Sequence, residues 1–150
     1  KELAIPLHTR VLKVQERLPE ERVRNALNLE TGNSVVVVER VRLSGDQPVI
    51  YSIDIFPRRM MTGNIDEIDY GESLLLVMEK SWSTRLVYAK AVLSAEVLPE
   101  DVSRRIGMER CEAWIRLEQV NYDTADKPML FSIDYHRGDK FQFHVLRRRR

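Results

Sequence analysis

Arg40 and Arg42 stand two positions apart in Ser34 to Leu43, a run rich in β-branched residues that reads as a central strand. Successive strand side chains alternate faces, so both guanidinium groups point the same way, at the end of an apolar row begun by Val36 and Val38. Guanidinium groups bind carboxylate and phosphate in a fixed planar geometry, and such a pair can act as a forked anion clamp. Two arginines solvated on an open sheet face satisfy the same spacing. Ser73 adds a second anion-favouring feature: it is a good N-cap for a short helix through Glu79, and a helix start offers unpaired N–H groups and a positive dipole end. Nothing comparable points to catalysis. His8, His136 and His144 lack metal-ligand spacing, and there is no Cys/His cluster, glycine-rich phosphate loop or nucleophile elbow. We therefore expect no catalytic residue, no metal and no cofactor.

The elements that must position these residues occur twice. Lys127-Pro128-Met129-Leu130-Phe131-Ser132-Ile133-Asp134 repeats the residue types of Gln47-Pro48-Val49-Ile50-Tyr51-Ser52-Ile53-Asp54. Upstream, Leu18-Pro19-Glu20 answers Leu98-Pro99-Glu100, and Glu39-Arg40-Val41-Arg42 answers Glu118-Gln119-Val120-Asn121. A period of roughly eighty residues exceeds the 20–50 of solenoid repeats, so two pseudo-symmetric halves of one sheet are expected. Each half reads as strand, helix, strand, turn, strand. The strands are His8 to Glu16, Ser34 to Leu43 and Pro48 to Phe56, then Val87 to Val97, Glu112 to Tyr122 and Pro128 to His136. The first helix opens with Pro19 in its first position and ends at Thr31-Gly32-Asn33; the second spans Pro99 to Met108. Lys1 to Ala4 reads as the last turn of a preceding helix, and Phe141, Phe143 and Val145 alternate as in a final strand. The fold class is α+β, a single mostly antiparallel sheet, internally duplicated, with helices on one face.

Duplication also supplies an internal control. Ser52-Ile53-Asp54 recurs as Ser132-Ile133-Asp134, which assigns Asp54 and Asp134 to the fold. Arg40 and Arg42 become Gln119 and Asn121, so the fold does not require cations there.

Composition sets the outer bounds. The 150 residues suffice for one domain, and their net charge of +1 argues against a broad basic face for nucleic acid, with Arg147 to Arg150 read as a solvated tail. The single cysteine, Cys111, cannot form an internal disulfide, which fits a reducing cytosol. No apolar run reaches the roughly 18 residues a membrane span needs, so no membrane partner is expected. The start at Lys1, without methionine, suggests a fragment of something longer.

Glu39-Arg40-Val41-Arg42, the turn and Pro48, the Gly71-Glu72-Ser73-Leu74 helix start and the closing Arg137-Gly138-Asp139-Lys140-Phe141-Gln142-Phe143 together resemble the UTRA domain. That domain is the C-terminal effector-binding module of HutC-type GntR transcription regulators and shares its fold with chorismate lyase. The resemblance covers nearly the whole of residues 1–150. It implies a cytoplasmic homodimer that senses a small metabolite and acts on operator DNA through an N-terminal winged helix-turn-helix upstream of this sequence. In members that bind phosphosugars, two strand arginines and a serine at the central helix start hold the anion, and these positions match Arg40, Arg42 and Ser73. Two positions depart: a glutamate that meets sugar hydroxyls is here Leu130, and a tyrosine before the Arg-Gly-Asp is here His136. The resemblance thus implies a small anionic ligand, a carboxylate or phosphate, with a more apolar body than a sugar. It also implies a contact from a helix preceding Pro6. The other readings are an enzyme on the chorismate lyase fold and a dimerisation module with a vestigial pocket.

Overall fold

The computed structural model describes residues 6–108 and 113–149. Its six strands are β1 (Leu7–Arg17), β2 (Val35–Ser44), β3 (Gln47–Pro57), β4 (Leu86–Glu96), β5 (Trp114–Asp123) and β6 (Pro128–Arg137). They form one antiparallel sheet in the order β1-β2-β3-β6-β5-β4. That order is palindromic, and so is the central register. On β3 and β6, Ser52 faces Asp134, Ile53 faces Ile133 and Asp54 faces Ser132. A pseudo-twofold axis therefore passes through the Ile53/Ile133 pair, and each half supplies three consecutive strands.

The helices are α1 (Glu21–Ala26), α2 (Leu74–Ser81) and α3 (Glu100–Arg105). Their placement follows from which strand residues are apolar. Val35, Val37, Ile55 and Phe131 share one face and receive Val23 of α1 and Leu27 just after it; Val41, Tyr51, Trp114 and Tyr135 lie on that same face and receive Val102 and Ile106 around α3. The expectation of helices on one face holds for this duplicated pair. It fails for α2. Val36, Val38, Phe56 and Leu130 alternate onto the opposite face, and Leu74, Val77 and Met78 of α2 pack there. β2 reads as apolar on both faces because both are covered.

Helix ends also differ from expectation. In α1 the first helical bond runs from Arg24 N–H to the Glu20 carbonyl, so Glu20 is the N-cap and Pro19 precedes the helix. In the second half Ser103 N–H bonds the Pro99 carbonyl, and Pro99 itself is the cap. Both helices close in the same way. Asn28 N–H meets Asn25 O and Leu29 N–H meets Arg24 O, and in α3 Gly107 N–H meets Arg104 O and Met108 N–H meets Ser103 O. These are paired Schellman bonds around a left-handed residue, Asn28 (φ 51°) or Gly107 (φ 80°), so α1 ends well before Gly32 and α3 before Met108.

No strand forms at Phe141, Phe143 and Val145. The two phenylalanines instead meet the His136 ring edge-on, at centroid distances of 5.2 and 5.1 Å, and this aromatic contact takes the place of a ladder. The helix turn expected at Lys1 to Ala4, and Cys111, lie outside the described residues.

Candidate functional site

On the face that carries α2, the strand registers set out a lattice of side chains. Across β2, β3, β6 and β5, one row reads Arg42, Ile50, His136, Ile115; the next reads Arg40, Ser52, Asp134, Leu117; the third reads Val38, Asp54, Ser132, Gln119. The start of α2 covers this lattice and leaves a cavity of about 170 Å³. Arg40, Arg42, Ser73, Leu130 and His136, all picked out in the sequence, are brought together on its walls.

Their roles separate in the geometry. Arg40 is buried and committed: its Nη2 meets Asp54 Oδ2 at 2.6 Å, while Nη1 donates to the carbonyls of Tyr70 and Glu72 at 3.1 and 3.2 Å. It thus ties the central strand to the loop that delivers Ser73. Only its Nε is buried without a partner among the described residues. Arg42 is half-buried and makes no ion pair or hydrogen bond among the described residues. The two arginines are therefore not a symmetric fork; Arg42 is the available cation and Arg40 the brace behind it.

Ser73 occupies the N-cap position of α2, with φ −60° and ψ 120°, and its hydroxyl makes no capping bond. Both that hydroxyl and the first N–H groups of α2 face the cavity end of the helix, where the dipole favours negative charge. Leu130 belongs to the core beneath α2 and gives the cavity an apolar wall. His136 is held by the two phenylalanines, and burial, reinforced by the charge of Arg42, lowers its pKa to about 4. The imidazole is neutral at pH 7, and its Nδ1 is buried without a partner among the described residues.

The cavity is also lined by Ser52, Asp54, Ser132 and Asp134, the residues of the recurring Ser-Ile-Asp triplet whose recurrence assigns the aspartates to the fold. Asp54 accepts from Arg40 and, at 2.8 Å, from the Ser132 hydroxyl. Asp134 has no cation at ion-pair distance among the described residues. Burial, then repulsion from Asp54, raises its pKa to about 6, against the opposing effects of a Ser52 hydrogen bond, Arg40 and Arg42. The sequence did hold a signal for this: the Ser-Ile-Asp triplet is duplicated, whereas the arginine that neutralises its first copy is not. Among the described residues there is no group of three or more His, Cys, Asp and Glu placed to hold a metal, and no helix long and apolar enough to cross a membrane.

The UTRA domain family matches residues 4–142. Among solved structures, the effector domain of PhnF from Mycobacterium smegmatis superposes with a TM-score of 0.87 at 16% identity, covering 97% of this chain and 89% of that one. A GntR-family transcriptional regulator from Enterococcus faecalis gives 0.78 at 18% identity, covering 93% and 99%. YydK from Bacillus subtilis gives 0.81 at 16%, covering 95% of this chain; the chain spans 63% of YydK. At these identities the likeness is one of fold. No curated protein sequence matches the chain.

Proposed function

The chain belongs to the UTRA domain family, and on that premise we propose that it is the effector-binding domain of a HutC-type GntR transcription regulator, taking a small anionic metabolite in the cavity under α2. The observation that carries this reading is Arg42, a half-buried cation with no counter-charge at ion-pair distance among the described residues, across a cavity from the hydroxyl and N–H groups at the start of α2. A carboxylate or phosphate there would join the central strand to α2, which otherwise meets the sheet through apolar packing and the Arg40 brace. Leu130 and the neutral His136 give the ligand an apolar and weakly polar body to rest on. The domain acts as a homodimer in the cytoplasm and performs no catalysis. Occupancy reaches operator DNA through a winged helix-turn-helix N-terminal to this domain, by favouring one arrangement of the two domains over another.

Calorimetric titration of the domain with small carboxylates and phosphates, beside an Arg42→Gln variant, tests this. We expect at least one anion to bind the parent and to lose about tenfold or more in affinity in the variant, the loss of one charge-assisted hydrogen-bonded contact. Binding that survives Arg42→Gln unchanged, or no binding by any anion, overturns it.

A further inference from the structure

The cavity holds more than a cation. Four recurrent carboxylates form two pairs of equivalent positions in the two halves, Glu39 with Glu118 and Asp54 with Asp134, and three of the four meet an arginine among the described residues. On the helix-pair face, Glu39 meets Arg105 at 2.6 Å and Glu118 meets both Arg22 and Arg116. On the cavity face, Asp54 meets Arg40. Asp134 is the exception: the pseudo-twofold places Gln119 beside it, where Arg40 stands beside Asp54. With Arg40 and Asp54 neutralising each other and His136 uncharged, the cavity is left, among the described residues, with one free cation, Arg42, and one free carboxylate, Asp134.

Resting on the reading that an anion sits at Arg42, we propose that the ligand is a zwitterion, with its anionic group between Arg42 and the start of α2 and a primary ammonium on Asp134. A half-buried carboxylate that burial partly strips of water and that has no cation at ion-pair distance among the described residues is costly, and a ligand that brings a cation relieves that cost. A plain anion meets the opposite situation, since it enters a cavity that already contains Asp134 and gains from Arg42 while it is repelled from the other wall. Arg42 and Asp134 lie on strands separated only by β3, one row apart, so roughly two strand spacings of 4.8 Å divide their backbones, with both side chains reaching inward. The cavity of about 170 Å³ suits a compact molecule of this kind, whereas a lone water needs only about 10–15 Å³. Ser52 and Gln119 flank Asp134 and can complete the hydrogen bonds of an ammonium group.

The test is calorimetry on the folded domain with matched pairs. Amino carboxylates from glycine to 6-aminohexanoate are each compared with the des-amino acid of the same length, and phosphoethanolamine with ethyl phosphate. We expect at least one amino compound to bind tenfold or more tightly than its partner, and Asp134→Asn to abolish that preference while leaving the des-amino compound bound as well or better. Gln119→Arg, which reproduces beside Asp134 the arginine that Asp54 already has, should abolish the preference too. This second variant keeps the test decisive if Asp134→Asn alters the fold, which circular dichroism checks. Des-amino anions that bind as tightly as the zwitterions at every length, with dependence on Arg42, would overturn the ammonium contact and leave the anion site standing. A preference that persists in both variants also overturns it. No binding by any member of either series would overturn the anion site and the zwitterion together.

Discussion

Asp54 and Asp134 occupy equivalent places on β3 and β6, each with a serine from the other strand opposite it, and yet one is held by Arg40 while the other has Gln119 at the corresponding diagonal position. The fold therefore does not need a cation at this position to build the sheet. It needs one on the side where α2 begins, because the same guanidinium that neutralises Asp54 also holds the carbonyls of Tyr70 and Glu72. No α2 counterpart lies between the second copy of the unit and the end of the described residues. The asymmetry of charge thus accompanies an asymmetry of architecture. What the second half gains is a carboxylate left open toward a cavity.

Removing the brace should break the comparison most severely. Arg40→Ala leaves Asp54 buried beside Asp134 without its ion-pair partner and frees the loop before α2; breaking a buried pair in this way costs about 3–5 kcal/mol. Urea unfolding followed by circular dichroism should show a loss of unfolding free energy of that size. Arg40→Gln combined with Asp54→Asn removes the stranded charge and should recover part of the loss, though not the hold on Tyr70 and Glu72. Equal stability of Arg40→Ala and the parent would show that the Asp54 ion pair contributes nothing net.

A smaller effect of opposite sign is expected in the second half. The Asp134 carboxyl titrates near pH 6 in the folded chain against 3.8 for an ordinary aspartate. Between those values the folded state holds a proton that the unfolded state has released, so stability is full below about pH 4 and is lost as pH rises through 6. The groups facing Asp134 are Arg40 and Arg42 from β2, Ser52 and Asp54 from β3, Gln119 from β5, Ser73 from α2 and His136 on its own strand. Asp134→Asn should therefore stabilise the unliganded domain at pH 7 by on the order of 1–3 kcal/mol, at 1.36 kcal/mol per pKa unit, and have little effect at pH 4. His136 works the other way. Its pKa, lowered from 6.5 to about 4, gives stability that is present above pH 6.5 and lost as pH falls through 4. His136→Gln should flatten the acid side of the profile, and unfolding midpoints of the two variants across pH 4 to 7 should diverge in opposite directions from the parent.

Much of this arrangement is visible in the sequence because it is local or periodic. The hairpins, the β2 alternation and the Ser73 helix start each need only a few neighbouring residues, the duplication is a plain repeat of residue types, and in the fold these elements gather Arg40, Arg42, Ser73, Leu130 and His136 onto one cavity. The division of labour between the arginines is not local. It depends on the 70–72 loop reaching Arg40 across thirty residues of chain, which no strand pattern encodes. The face taken by α2 was hidden for a related reason: β2 is apolar on both sides, so its alternation cannot say which side a helix covers. At Phe141 and Phe143, period-two spacing suggested a strand, and contact with the His136 ring decided otherwise. Recurrence of Asp134 spoke for a role in the fold, and only the absent arginine beside it distinguishes its environment from that of Asp54.

The smallest expected differences lie at the helix caps, where the halves use different residues for one backbone geometry. Asn28 and Gly107 both sit in the left-handed region after α1 and α3. A Cβ at Gly107 would meet no atom within 4 Å, so the cost of Gly107→Ala is conformational, about 1 kcal/mol. Gly107→Asn should cost less, because asparagine enters that region more readily, and Asn28→Gly should change stability by only a few tenths of a kcal/mol, a gain in the folded state offset by the freer unfolded chain. Denaturant midpoints with unchanged slopes would measure all three. If they fall in this order, the two copies tolerate exchange of their residues wherever the geometry is shared. The large, opposite effects expected at Arg40 and Asp134 then arise from the cavity and not from a general divergence of the halves. A large loss at Asn28→Gly would instead show that the first unit has become specialised throughout, and the contrast between the two aspartates would no longer single out the site.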